Sequence, residues 1–260
     1  VRVDPYVIES GRGPAVVLLH AFPLNASMWA AQREALAPDY RVICPDQRGF
    51  GGTQLGHDGP SLDDVADDIA AMLDARKVRT CVLGGLSMGG YVAMAFLRRH
   101  ADRVHGLVLA DTKAGADPPA AVANRLRIAE EVVAAGDSKQ LVHELLPTLL
   151  GDTTRERRAL VTGRVKALVE RAPAYAVAWA QRAMADRPDS FETLRAVTVP
   201  TLVVVGEEDT LSPPAEAQAM AEAVPGATLV TIPGSGHLTA VEAPEEFNAA
   251  LAAFLATVSP

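Results

Sequence analysis

One serine of this chain stands between glycines, in the stretch CVLGGLSMGGYV at residues 81–92. Ser87 lies in Gly85-Leu86-Ser87-Met88-Gly89, directly after an apolar run. A strand that turns sharply into a helix at such a serine pushes the hydroxyl outward, and the flanking glycines remove side chains that would block the crossing. The helix that follows aims its first amides at the same place, which suits a developing negative charge. The competing reading is an inert strand-to-helix turn. A serine hydroxyl attacks a carbonyl only when a base takes its proton. Of the six histidines, His237 in IPGSGHLTAVEAPEEF is the candidate base. It follows a short apolar run, in a Gly/Ser loop, just ahead of the last helical pattern. His100 in LRRHADRV reads as a helix end, His57 and His143 as surface or cap residues, and His105 as the start of a strand.

The base in turn needs an acid to hold its tautomer and stabilise its protonated form. Asp209 in VVVGEEDTLSPP lies just beyond a strand-like run, on the side where parallel sheets present ligands. Glu207 and Glu208 are adjacent rivals, and a solvated turn is the alternative for all three. The chain order Ser87, Asp209, His237, each beyond a strand end, is more specific than any one of the motifs. A fourth element is HAFP, residues 20–23. Its backbone can supply the N–H of Phe22 which, with the N–H of Met88, would hold a tetrahedral oxyanion. His20 reads as a structural imidazole that shapes this loop.

These residues need elements to position them. The runs at 15–20, 41–46, 81–85, 104–111, 201–207 and 227–232 read as strands. Most are continuously apolar, as in strands covered on both faces, hence a largely parallel sheet. Helical patterns alternate with them. The segment 61–75 opens on Ser61 as a cap, with Asp63 and Asp64 in its first turn. Another runs from about Gly89 to His100. The last, 244–258, has Pro244 in its first turn and an apolar stripe at Phe247, Leu251, Phe254 and Leu255. The expected fold is therefore α/β, a mostly parallel central sheet with helices on both faces. Residues 115–190 hold no strand and read as short helices broken near Gly136, Gly151 and Pro173. They carry nearly half of the lysines and arginines but under a third of the acids. The expected organisation is a core of 1–114 and 191–260 with an inserted helical lid at 115–190; a merely packing helical layer is the alternative.

Composition narrows the classes. With 260 residues, 49% of them hydrophobic, the chain can bury the core of one domain. A formal net charge of −8 and the lack of a basic block argue against nucleic acid as a partner. No apolar segment approaches a membrane span, so no membrane partner and a cytoplasmic location are expected. Cys44 and Cys81 sit in apolar runs and read as buried free thiols.

Together these motifs resemble the α/β-hydrolase superfamily over essentially the whole chain. In that family HAFP would be the oxyanion loop, and DQRGFGGT (46–53) the DxRGxGxS-type loop. GLSMGG would be the nucleophile elbow, EEDTLSPP the acid loop and GSGHLTAVEAPEEF the histidine loop. Ala21 replaces the family's common Gly, so that position should not need positive φ; Thr53 stands where Ser is common. Within the family the chain looks like the small-lid branch of carboxylesterases, 3-oxoadipate enol-lactonases, perhydrolases and C–C bond hydrolases.

The expected function is a serine esterase or lactonase that uses no cofactor and no metal and takes a small ester or lactone as its partner. C–C hydrolysis, perhydrolysis and a binding-only role are the other readings, and the oligomeric state is not legible. Trp29, Leu126, Leu146, Leu168 and Trp179 are candidate pocket residues, with Phe22 and Met88 close by. Arg125, Arg127, Arg164 and Lys166 are candidate anchors for an anionic substrate, against the alternative of solvated helix surfaces.

Overall fold

The chain enters the sheet as a short strand, β1 (Val7–Ser10), which the apolar pattern does not announce. VIES is brief and only half buried, so it lacks the continuous apolar signature of the inner strands. The other six strands are the expected runs: β2 (Ala15–Leu19), β3 (Arg41–Pro45), β4 (Cys81–Leu86), β5 (Val104–Ala110), β6 (Thr201–Gly206) and β7 (Thr228–Ile232). The structure, a computed structural model, describes residues 2–258.

The seven strands form one sheet in the order β1-β3-β2-β4-β5-β6-β7. β1 pairs antiparallel with β3, and every other pair is parallel. Every residue of β2, β4 and β6 is buried, which explains their unbroken apolar runs. β7, at the far edge, is mostly half-buried or exposed, and only Ile232 at its end is buried. From β2 the chain moves outward to β3, then returns to the other flank of β2 as β4. The order reverses there, and the loops leaving β2 and β4 diverge to open a crevice at the strands' carboxyl ends. HAFP and Ser87 lie at those two exits.

The helices follow from their caps and stripes. Helix Leu62–Ala75 starts where Ser61 Oγ accepts the Asp64 N–H at 3.1 Å. Helix Met88–His100 begins directly after the serine, and His100 ends it as expected, its Nε2 2.8 Å from Asp67. The final helix is Pro244–Leu255, three residues shorter than its pattern. Helices Pro119–Ala135, Leu141–Leu149, Asp152–Arg157, Ala159–Glu170 and Ala174–Ala185 fill the insert between β5 and β6, without a strand. The first ends on Gly136 at φ +74°, a left-handed cap that glycine supplies without a Cβ clash.

Cys44 and Cys81 are buried and unpaired, and burial pushes the Cys81 thiol up to about 12. No described helix is long and apolar enough to cross a membrane.

Candidate active site

β4 delivers Ser87 with φ 55° and ψ −115°. A non-glycine residue held there costs on the order of 1–3 kcal/mol and persists only where its surroundings fix it. Here the Ser87 N–H donates to the Ala110 carbonyl at 3.0 Å. The Ser87 carbonyl accepts from Gly90 N at 2.9 Å, Tyr91 N at 3.2 Å and Thr112 Oγ1 at 2.9 Å. The glycine spacing has a direct steric cause. A Cβ on Gly85 would lie 2.1 Å from the Gly89 carbonyl oxygen, and one on Gly89 would lie 2.2 Å from that of Leu19. Strand and helix cross too closely there for any side chain.

The three chemistry-bearing residues meet at this turn. His237 Nε2 is 2.8 Å from Ser87 Oγ, and Nδ1 is 2.8 Å from Asp209 Oδ2. Asp209 is acceptor-only when ionised, so Nδ1 carries the proton and Nε2 is left to accept from the serine hydroxyl. The other oxygen of Asp209 accepts from Leu211 N at 2.8 Å and Ser212 N at 3.0 Å, which fixes the carboxylate's orientation. His237 and Asp209 are buried, and Ser87 is nearly so. The neighbouring rivals turn elsewhere: Glu207 accepts from Gly234 N at 3.2 Å and Glu208 from Thr153 N at 2.9 Å.

Two further acids, not singled out in the sequence, set the loops that carry this trio. Glu242 is buried and accepts three backbone N–H groups. Oε1 takes those of Gly236 and Leu238, both at 3.0 Å, and Oε2 takes that of Gly151 at 2.9 Å. Gly236 and Leu238 flank His237, so one carboxylate brackets the imidazole's backbone. Asp111, at φ 43° beyond β5, accepts from Gly206 N at 3.0 Å ahead of the acid loop. It also accepts from Thr239 N at 3.0 Å and Thr239 Oγ1 at 2.6 Å beyond the histidine. Burial pushes the Asp111 carboxyl well above the usual range, the charge of Asp209 adds to this, and the bonds from Thr239 and Gly206 oppose it. Asp111 ends the apolar run 104–111 and Glu242 lies in the histidine motif GSGHLTAVEAPEEF; a carboxylate inside or ending an apolar run was the available signal. Glu242→Ala would leave three buried N–H groups without acceptors. At about 1–3 kcal/mol for each orphaned group, a loss of at least ~3 kcal/mol and a lowered kcat are expected, read by denaturant unfolding and ester turnover.

The β2 exit completes the crevice. Neither the Phe22 N–H nor the Met88 N–H donates to another group among the described residues, so both are free for an incoming oxygen. Ala21 is not among the residues with positive φ, as its side chain requires. His20 is fully buried and structural. Its Nδ1 donates to the Ala21 carbonyl at 3.0 Å, its Nε2 accepts from Gln47 N at 2.9 Å, and burial lowers its pKa.

A cavity of about 220 Å³ opens onto Ser87, His237 and Phe22. Insert residues Ile128, Leu145, Leu149 and Met184 form its apolar wall. The five candidate pocket residues do not line it, and the correction has physical causes. Trp29 is buried against Phe247, with ring centroids 6.1 Å apart. Trp179 donates to the Asp58 carbonyl at 3.3 Å on another side of its helix. Leu126 is 41% exposed, whereas Arg125 and Ile128 of the same helix face inward. Leu146 and Leu168 pack partly buried against the core, and Leu145 and Leu149 take the lining positions. An apolar residue in a helix is easy to see, but its face is fixed only by neighbouring helices. Of the candidate anchors, only Arg125 reaches the cavity. Arg164 donates to the Ser27 carbonyl at 2.8 Å, Arg127 bonds Glu131 and Glu144, and Lys166 pairs with Glu170.

Residues 14–244 match the model of the alpha/beta hydrolase fold. The chain belongs to the α/β-hydrolase family. Among the solved members, a thermophilic esterase from Thermogutta terrifontis, determined with malate bound, is 41% identical. It superposes with a TM-score of 0.96 over 99% of this chain and 95% of its own. A pimeloyl-[acyl-carrier protein] methyl ester esterase from Aeromonas hydrophila is 29% identical across 91% of this chain and 93% of that protein. The enol-lactonase of Burkholderia xenovorans LB400 is 26% identical with a TM-score of 0.90, covering 98% and 97% of the two chains. These α/β-hydrolases match between 91% and 99% of the present chain.

Proposed function

We propose that this chain hydrolyses small carboxylic esters and lactones with Ser87 as nucleophile, His237 as base and Asp209 as its orienting acid. The observation that carries the reading is the unbroken hydrogen-bond line from Ser87 Oγ through His237 to Asp209, 2.8 Å at each link, facing a cavity. His237 Nε2 removes the hydroxyl proton as Oγ attacks the acyl carbon. The carbonyl π electrons move to oxygen, and the N–H groups of Phe22 and Met88 hold that oxyanion. As it collapses, the bond to the leaving alkoxide breaks and His237 returns the proton to it. Water then attacks the acyl-serine, with His237 taking and returning a proton as before, and releases the acid. An ester loses its alcohol; a lactone opens and keeps it.

The relatives named as esterases and as an enol-lactonase favour this acyl-transfer class over a binding-only role, which would not need a complete proton path. The insert, 115–190, acts as a lid that supplies the cavity's apolar wall. Its small volume favours short acyl groups. Covalent labelling tests the assignment: a fluorophosphonate should react once per chain, with peptide mapping placing the adduct on Ser87. An adduct elsewhere, or none on a folded protein, would remove Ser87 from the mechanism.

A further inference from the structure

Beside its apolar wall the cavity lining is cationic: Arg125 shares its helix with Ile128, and its Nη1 lies 3.5 Å from Met184 Sδ. Lys113, Asp117 and Arg125 are its lining residues of the Lys, Arg, Asp and Glu types. The carboxylate of Asp117 is fully buried. Behind it Arg187 donates from Nη2 to Asp117 Oδ1 at 2.8 Å and places Nη1 2.8 Å from Oδ2. Arg187 also donates to the Met184 and Gly115 carbonyls at 2.9 and 3.0 Å and lies 4.1 Å over the Tyr91 ring. It is 4% exposed and committed, and by itself it neutralises Asp117. Burial alone would raise the Asp117 pKa, but Arg187 and Arg125 hold it well below the usual carboxylate range.

Lys113 and Arg125 are therefore in excess. Lys113 Nζ stands 3.5 Å from Asp117 Oδ1, and Arg125 bonds the same carboxylate through Nε. Arg125 Nη1 donates to Gln181 Oε1 at 3.0 Å, which orients the amide. Arg125 Nη2 and Gln181 Nε2 have no acceptor among the described residues. Glu216 is the other acid that Arg187 feels, from outside the lining. Counting it, three cations face two carboxylates. In a chain of net charge −8, this wall holds more donors than acceptors and more positive than negative charge.

We infer that Lys113, Arg125 and Gln181 form an anion subsite, and that the preferred substrates are esters or lactones whose acyl chain ends in a carboxylate. This rests on Ser87 as the acyl-accepting residue, since it is the acyl group that enters the cavity. A carboxylate there would accept charge-assisted hydrogen bonds from Lys113 Nζ and Arg125 Nη2, both largely shielded from solvent. Neutral acyl chains of the same length offer Lys113 Nζ and Arg125 Nη2 no such acceptor, and this difference makes the site selective.

Matched methyl esters read this directly. Monomethyl succinate, glutarate and adipate are compared with methyl butyrate, valerate and caproate, so that a carboxylate replaces a terminal methyl at each length. At one length or more, kcat/KM for the acid ester should exceed that for its neutral partner by about tenfold. Ionic strength near 0.5 M should shrink the ratio. Lys113→Met should lower it about tenfold, and Lys166→Met, away from the cavity, should not. Arg125→Met should act like Lys113→Met, and the lysine variant carries the test if the arginine variant fails to fold. A ratio at or below one at all three lengths, or one unmoved by Lys113→Met, overturns the subsite. Ser87→Ala separates the two readings: hydrolysis of both ester series surviving in it would remove the nucleophile, whatever the ratio.

Discussion

Ser87→Ala is expected to lower kcat for p-nitrophenyl acetate by about 10⁶-fold while leaving the fold intact. The size follows from the role. Without Oγ there is no acyl acceptor and His237 has no hydroxyl to activate, so only oxyanion binding and proximity remain. The fold should survive because Oγ makes a single bond, to His237. The contacts that hold the elbow run through the backbone N–H and carbonyl of residue 87, and alanine keeps both. Alanine at φ 55° also carries no more backbone strain than serine there. Turnover and thermal unfolding, measured on the same preparation, check both halves. A loss below about a hundredfold with an unchanged melting temperature would mean that another residue accepts the acyl group.

Asp209→Asn should cost about 10⁴-fold in kcat near neutral pH, with KM little changed. The argument lies in which atom the amide must turn toward His237. Asp209 Oδ1 accepts two backbone N–H groups, from Leu211 and Ser212, and an NH₂ group placed there would face two donors. Asparagine therefore keeps its oxygen on those amides and points its nitrogen at His237 Nδ1. That nitrogen donates, so Nδ1 must become the acceptor and the imidazole proton moves to Nε2. The base then presents a proton to Ser87 where it should present a lone pair. Because the loop's own hydrogen bonds survive, the loss should fall on kcat and leave stability nearly untouched. Combined with Ser87→Ala, it should add almost nothing, since the two residues act as one unit. Equal losses in KM and kcat would show instead that the substitution disturbed the pocket.

What the sequence disclosed and what it withheld differ in kind. The inner strands were legible because burial on both faces leaves only apolar residues, as in AVVLL and TLVVVG. The trio was legible because each member follows a strand in a fixed chain order, close to glycines that have no room for a Cβ: Gly85 and Gly89 around Ser87, Gly206 ahead of Asp209 and Gly236 before His237. β1 was hidden because an edge strand of four half-buried residues has no such signature. The cavity wall was hidden for another reason: five insert helices could each show any face, and only their mutual packing selects Leu145 over Leu146 or Ile128 over Leu126. Asp111 and Glu242 sat in plain view, but their work is with backbone amides far along the chain, and residue type alone does not reveal that partnership.

The junction around Gly151 limits how this enzyme could be rebuilt. Glu242 holds the Gly151 amide with the oxygen that does not bracket His237, and Glu208, beside Asp209, holds Thr153. A Cβ on Gly236 would come within 2.2 Å of the Gly151 nitrogen, so the two backbones are in direct contact. Were the helical insert exchanged for that of a relative, as one changes the head of a tool, the joints at 115 and 190 would not be its only points of attachment. The tripeptide Gly151–Thr153 is a third, midway through the cassette, and it fastens to the catalytic loops themselves. A transplanted insert without an equivalent there would bring its own pocket and leave the histidine loop without one of its moorings. Variation in substrate range is therefore freest in helices Pro119–Ala135 and Ala174–Ala185, which shape the cavity without touching that seam.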